Sequence, residues 1–320
     1  MKRKRISITQ QIFLDAKAPF DKYSHNNTRK QYLKNLKRFI KFCREIFDCK
    51  TFDECKLHIQ DYSDFLQEKQ LSASTIHTYL APVCIAAGIN MKEIDKPIRH
   101  TSEYTRGRTN ESIVKSRDLN DVNWSHLVEF QKRVGLRRAE LVKITGKSLV
   151  RDESKNWCIS VIGKGGKKQL QLIKNEDVKF IKKYFDNIGP DERIFQSQLF
   201  ENKLNLHFLR AECAKQFYKD TVERLRTDPT YQDVLIKQIK ARWNKYNLKP
   251  DGTPKPFDNR KITGYYYLRG ANRKAAQEIG ASIKFNKLAL LATSVFKLAH
   301  WRLDVTVNSY LSIDNGGKII

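Results

Sequence analysis

The stretch Asn156–Ile173, NWCISVIGKGGKKQLQLI, decides how the rest of the chain is read. Trp157 to Ile162 alternates apolar and polar positions, Gly163-Lys164-Gly165-Gly166 turns the chain, and Lys167 to Ile173 alternates again. That is the pattern of an antiparallel hairpin. Away from it the apolar residues recur at intervals of three and four, as amphipathic helices require. The expected fold class is therefore mainly α with a small β-hairpin, an α+β arrangement.

Working toward the N-terminus, Asn27-Thr28 offers a cap for a helix reaching Phe47, with Tyr32, Leu36, Phe39 and Cys43 on one face. Arg29, Lys30, Lys34 and Lys37 fall largely elsewhere on its surface. A second helix is expected over 52–69, and a third starts at Ser72 or Ser74 and closes at Gly88. These helices are expected to form a small bundle with basic outer faces, residues 1–100. From Pro97 to about Arg117 the periodicity fails in a polar, basic stretch containing Arg106, Gly107 and Arg108. We read 101–117 as an interdomain linker able to lie along a phosphate backbone, with an ordinary surface loop as the alternative. The second domain is expected over 118–320, helical at 120–144, 176–189 and 204–225. A loop follows over 248–260, and helix is expected from there to Tyr310.

Charge narrows the partner. The 320 residues carry 61 Lys+Arg against 35 Asp+Glu, a net +26, spread along the whole chain. A polyanion turns that self-repulsion into attraction and counterion release; a Lys-rich solubilising surface is the plainer alternative. The six cysteines (Cys43, Cys49, Cys55, Cys84, Cys158 and Cys213) include no CxxC pair. Spacings of six do not suit a zinc knuckle, so each is read as a small buried hydrophobe in a reducing compartment. The opening MKRKRISITQ is basic but lacks an apolar stretch behind it, so no secretory signal is expected. No run approaches the roughly 18 apolar residues of a membrane span. A cytoplasmic, DNA-associated protein with no membrane partner is expected.

GxxxxGK[ST], HExxH, GxSxG and the spaced acidic set of a two-metal nuclease are all missing from the sequence. Chemistry on DNA would then run without metal or cofactor, through a covalent intermediate and cationic stabilisation of the phosphorane.

Four segments in order carry a resemblance to the tyrosine recombinase superfamily, of phage-integrase type. Gly135–Ile144, GLRRAELVKI, resembles the first signature, GLRxxEL. Val161–Ile173 resembles the family hairpin with its GKGxK turn. Tyr265–Gln277, YYYLRGANRKAAQ, resembles the second box, HxLRH, with Tyr266 in place of His and Gly270 in place of the second His. Leu298–Leu311, LAHWRLDVTVNSYL, resembles LGHxxxxxTxxxY. The resemblance implies a two-domain, C-shaped clamp on double-stranded DNA. It makes Tyr310 the nucleophile, Arg137 and Arg269 the phosphate clamps, and Lys164 the general acid. Glu140 braces Arg137, and His300 with Tyr266 completes the phosphate shell. It further implies a 3′-phosphotyrosine intermediate and a mobile-element recombinase or integrase acting as a tetramer on paired sites. A hairpin telomere resolvase and a catalytically silent DNA-binding relative are the alternatives. The segment between Lys164 and Arg269 is longer than the family commonly uses, and an insertion is expected around 230–258.

Overall fold

The computed structural model describes residues 6–23, 27–99, 124–163, 166, 168–196, 204–278 and 280–311. The expected linker with Arg106 and Arg108, and Lys164 at the hairpin tip, lie outside these residues. The chain divides into two compact units, Met1–Tyr104 and Thr105–Ile320.

The first unit is helical: α1 Ile8–Ala16, α2 Asn27–Phe47, α3 Phe52–Lys56, α4 Ile59–Glu68 and α5 Ala73–Ala87. Its core is the apolar stripe anticipated on α2, with Leu36, Phe39 and Cys43 fully buried, packed on Ile12, Phe20, Tyr62, Ile76 and Leu80. Ser72 Oγ accepts from the N–H of Thr75 at 3.3 Å, and Gly88 ends α5 at φ 72°. Two elements depart from expectation. Helix α1 occupies a stretch read only for its basic character, and the single helix expected over 52–69 breaks at Leu57-His58 into α3 and α4. Of the cations on α2, Lys30, Lys34 and Lys37 are exposed. Arg29 instead braces its own unit, donating to Phe20 O at 3.1 Å and Asp21 Oδ1 at 2.8 Å.

The second unit begins with α6 Ser125–Val134 and the short α7 Arg138–Leu141. Then comes an antiparallel sheet, β1 Leu149–Arg151, β2 Trp157–Ile162 and β3 Lys168–Leu172. The hairpin register pairs Cys158 with Leu172, Ser160 with Leu170 and Ile162 with Lys168. Alternation along β2 sends Ile159 and Val161 into the core against Leu127, Phe130, Leu136 and Ile144. The short α8 Val178–Lys182 and the long helices α9 Leu206–Thr227 and α10 Tyr231–Tyr246 follow.

The stretch from Tyr265 onward is not continuous helix. Tyr265–Tyr267 forms β4, paired with β5 Lys284–Asn286, and α11 Gly270–Glu278 lies between them. Three consecutive aromatics suit an extended backbone better than a helical one. Here Tyr266 turns toward Leu268, Phe285 and Val307 while its neighbours stay exposed. Helix α12, Lys287–Phe296, is buried at every position from Leu288 to Phe296. A helix apolar on all sides belongs at the centre of a core, and α12 packs on α9, α10 and the next turn, α13 Leu303–Thr306.

The segment expected as an insertion is built into this core. Leu235 and Ile239 of α10 pack on Leu291 and Val295 of α12. Arg242 Nη2 donates to Asp152 Oδ2 at 2.7 Å, both side chains nearly fully buried, and Nη1 donates to Leu170 O at 3.1 Å. Removing one partner of a buried ion pair leaves an uncompensated charge. Arg242→Met should therefore lower unfolding stability by about 3 kcal/mol, and adding Asp152→Asn should recover part of it. Urea denaturation of the two variants measures both; an unchanged midpoint for Arg242→Met would show that the segment is dispensable.

Candidate active site

The site is assembled where α6 ends, α9 begins and α12 ends. Gly135 closes α6 at φ 73°, a left-handed conformation that an L side chain rarely adopts. A Cβ there would also come within 3.0 Å of Cys213 Sγ on α9, so the residue before Leu136-Arg137 must be glycine on two counts. Two buried glutamines hold the turn. Gln131 Oε1 accepts from the N–H of Leu136 at 3.0 Å, and its Nε2 donates to Leu206 O at 3.0 Å, tying the turn to the start of α9. Gln171 of β3 donates to Val134 O at 2.8 Å and to the carbonyl of Lys297, joining the hairpin to the end of α12. Lys297 itself is buried, its Nζ donating to Arg133 O at 3.0 Å and Leu172 O at 2.7 Å. The side-chain donors of Gln131, Gln171 and Lys297 each meet backbone carbonyls, which fixes the three segments relative to each other.

Onto this frame the side chains converge. Glu140, 3% exposed, accepts from the backbone N–H of Arg137 at 2.8 Å and from its Nη1, so it does brace Arg137. On its other side, 3.8 Å from Oε2, lies Nη1 of Arg210, whose side chain is completely buried. Arg210 also donates to Gly135 O, to Leu298 O at 2.8 Å and, through Nε, to the Tyr310 hydroxyl at 3.5 Å. Two guanidinium groups thus share one carboxylate beside a phenol. Burial, with Arg137 adding to it, pushes the Arg210 pKa below its ordinary value. An oxyanion placed between the two cations would answer that excess of positive charge.

Tyr310 sits on a π-helical turn, Val307–Leu311, and packs on Ala211, Ala214 and Leu298. Single π turns occur often at functional sites because they re-aim one side chain. His207 and His300 flank it, with ring centroids 5.5 Å and 6.2 Å from the Tyr310 ring. His300 is delivered by the end of α12, where Ala299 takes φ 50° and the His300 N–H returns to Ser294 O at 2.8 Å. The backbone N–H of Arg302 donates to His300 Nδ1 at 3.3 Å, so a neutral ring carries its proton on Nε2. That Nε2 is buried and has no hydrogen-bond partner among the described residues. A buried donor left in this way is a costly feature unless something binds it.

Burial, then the charges of Arg210, Arg137 and Arg302, lower the His300 pKa from 6.5 to about 4. The ring is neutral at pH 7. As pH falls, the unfolded chain takes up this proton before the folded one. The stability His300 contributes is whole above about 6.5 and is lost down to about pH 4, by at most about 3 kcal/mol. Between pH 7 and 4.5 the wild type should lose more stability than His300→Gln, by about 1–3 kcal/mol. Parallel urea titrations at the two pH values measure this, and equal losses would place His300 in solvent.

The second arginine expected from the sequence was Arg269, with Tyr266 beside it. The structure puts Arg269 on the surface just before α11 and Tyr266 half-buried in the β4 layer, where burial raises its pKa. Among the described residues, the guanidinium that meets Tyr310 is that of Arg210. Its signal was present in the sequence: His207-Phe208-Leu209-Arg210 carries His-x-Leu-Arg complete, whereas Tyr266–Arg269 lacks the histidine. A periodic sign accompanied it, since Arg210 falls on the apolar stripe Leu206, Leu209, Cys213, Ala214 and Phe217 of α9.

No protein-family model and no curated protein matches the chain. Among solved structures it is similar to the XerH site-specific recombinase bound to palindromic difH substrate in a post-cleavage complex. The TM-score is 0.41 at 13% identity, over 73% of this chain and 77% of that one. The XerH pre-cleavage complex gives 0.36 at 14% identity, over 60% and 70%. The integrase from mycobacterium phage Brujita gives 0.27 at 15%, over 66% and 79%. With TM-scores this low, what these residues do has to be argued from their own geometry.

Proposed function

We propose that the chain is a site-specific recombinase that cuts and rejoins DNA through Tyr310. The observation that carries this reading is the Tyr310 hydroxyl held on Arg210 beside Arg137, with the Nε2–H of His300 left for an incoming acceptor. A phosphodiester is the acceptor that fits: its two nonbridging oxygens match two guanidinium groups and one imidazole donor. The phenol gives up its proton to solvent as its oxygen attacks phosphorus in line, the bond to the 5′ oxygen breaks, and a 3′-phosphotyrosine and a free 5′ hydroxyl result. Arg137 and Arg210 carry the charge that builds on the phosphorane. Lys164, in the glycine-rich GKGG sequence, supplies the proton to the leaving 5′ oxygen. One phosphoester replaces another, so a second 5′ hydroxyl can reverse the step without an outside energy source or a cofactor.

The net charge of +26 and the exposed Lys30, Lys34 and Lys37 on α2 support double-stranded DNA as substrate. Pairing of sites by a tetramer belongs to the same reading. The silent-relative alternative loses its main support, because it rested on Tyr266 standing where a histidine is wanted, and His207 with Arg210 supplies that pair. The test is incubation with nicked duplexes carrying candidate sites, followed by denaturing electrophoresis. A covalent complex that survives EDTA, with four-way junction intermediates from two sites, is expected. Snap-back hairpins from a single site would favour a telomere resolvase; the lack of any covalent complex would remove the cleavage reading.

A further inference from the structure

Cys43, Cys49 and Cys55 stand six residues apart in sequence, yet the structure gathers them. Their sulfur atoms all lie within 4.8 Å of one another, and all three residues are buried, at 0%, 3% and 0% exposure. Three successive local devices bring this about. Cys43 lies on the buried face of α2, near its end. Past Phe47 the chain reverses through Asp48 at φ 49°, and the Cys49 N–H returns to Cys43 O at 3.4 Å. Arg44 fastens the reversal, donating to Asp48 O at 3.1 Å, Asp48 Oδ1 at 2.8 Å and Cys49 O at 2.7 Å. Thr51 Oγ1 then caps α3 on the Glu54 N–H at 3.2 Å, and one turn of that helix presents Cys55.

We infer that these three cysteines form a three-thiolate site for a thiophilic d10 metal ion in the first unit. Bonds of about 2.3 Å to a common centre put sulfur atoms about 3.8–4 Å apart. The observed cluster therefore needs a contraction of about 1 Å or less, within reach of small side-chain rotations. Neither a histidine nor a carboxylate belongs to the set among the described residues. Sulfur-only, three-coordinate ligation is the geometry Cu(I) accepts, while Zn²⁺ would draw a fourth ligand from solvent or a nearby side chain. Binding displaces the three thiol protons to solvent and leaves a negatively charged cluster, with the Arg44 guanidinium close by to offset it. Cys84, Cys158 and Cys213 take no part. The inference is independent of the proposed chemistry at Tyr310, since the two sites lie in separate units.

The test uses the full chain, reduced and stripped of metal, titrated with Cu(I) or Zn²⁺ against a chromophoric chelator. Co²⁺ serves as a spectroscopic stand-in for Zn²⁺. One equivalent per chain is expected, with sulfur-to-metal charge-transfer absorption. It should persist in Cys84→Ala/Cys158→Ala/Cys213→Ala and fall at least tenfold in affinity in Cys49→Ser. Circular dichroism checks that each variant is folded. X-ray absorption on the loaded wild type, which needs no variant, should show a shell of three sulfurs. Absence of charge-transfer absorption with every ion, a nitrogen and oxygen shell, or undiminished binding by folded Cys49→Ser would overturn the site. The competing ions decide between the occupants: tighter capture of Cu(I) with a three-sulfur shell identifies a trigonal site, and capture of Zn²⁺ with a fourth light ligand identifies a tetrahedral one.

Discussion

Arg210→Lys should lower the rate of covalent complex formation on DNA by about 10²–10³-fold, whereas Arg269→Ala should leave it within about an order of magnitude. Lysine keeps the charge but not the fork. A single ammonium cannot donate at once to Gly135 O, Leu298 O and the Tyr310 hydroxyl as the guanidinium does. Lysine is also a gentler probe than alanine, which would leave Leu298 O without its donor, Gly135 O with only Gln171 Nε2 at 3.3 Å, and Glu140 with one cation fewer. Arg269, exposed ahead of α11, reaches none of these groups and can contribute only through general attraction to DNA. Single-turnover cleavage of a nicked duplex, with thermal melting of each variant alongside, separates lost chemistry from lost fold. Full activity in Arg210→Lys, or a collapse in Arg269→Ala, would return the second clamp to the position first read from the sequence.

Tyr310→Phe should abolish covalent attachment altogether while leaving the fold and DNA affinity close to wild type. The ring packs on Ala211, Ala214 and Leu298, and phenylalanine keeps that packing. The hydroxyl accepts from Arg210 Nε at 3.5 Å, and the net loss of a hydrogen bond of this kind costs about 1 kcal/mol. Reactivity is different: no other atom of the side chain can attack phosphorus. Measured by gel shift, binding should change less than about threefold, a free-energy difference under 1 kcal/mol. Mass spectrometry of the trapped wild-type complex should find the nucleotide on the peptide containing Tyr310. A different tyrosine carrying the DNA, or cleavage by Tyr310→Phe, would end the assignment.

The contrast between Arg210 and Arg269 shows where reading the chain falls short. Both stand in a Leu-Arg dipeptide between Lys164 and His300, so the order of the segments does not separate them. The complete His-x-Leu-Arg at 207–210 lies inside an ordinary amphipathic helix. Its arginine, on the apolar stripe, was the sign that a buried cation needed partners. Tyr265–Tyr267 misled in a second way, since an isolated three-residue strand has no period long enough to separate it from helix. The three cysteines are buried, as their reading as small hydrophobes expects, but their six-residue spacing does not show that they gather. Here a left-handed Asp48 and a capped α3 close the distance.

The helices expected over 120–144 and up to Tyr310 break at Gly135 and after Phe296. Local patterns by themselves determined the α2 stripe, the caps of α5 and the β2–β3 hairpin. Each depends on contacts within about a dozen residues, where periodicity and turn chemistry are direct records of the backbone. The tertiary structure decided between two Leu-Arg pairs at Tyr310, and it alone decided that α10 is locked into the core through Arg242 and Asp152 and that Gln131, Gln171 and Lys297 hold the site together. Those are contacts between groups distant in the chain, set by burial. A polar side chain taken out of water must find its partner wherever the packing places one, and sequence order says little about where that is.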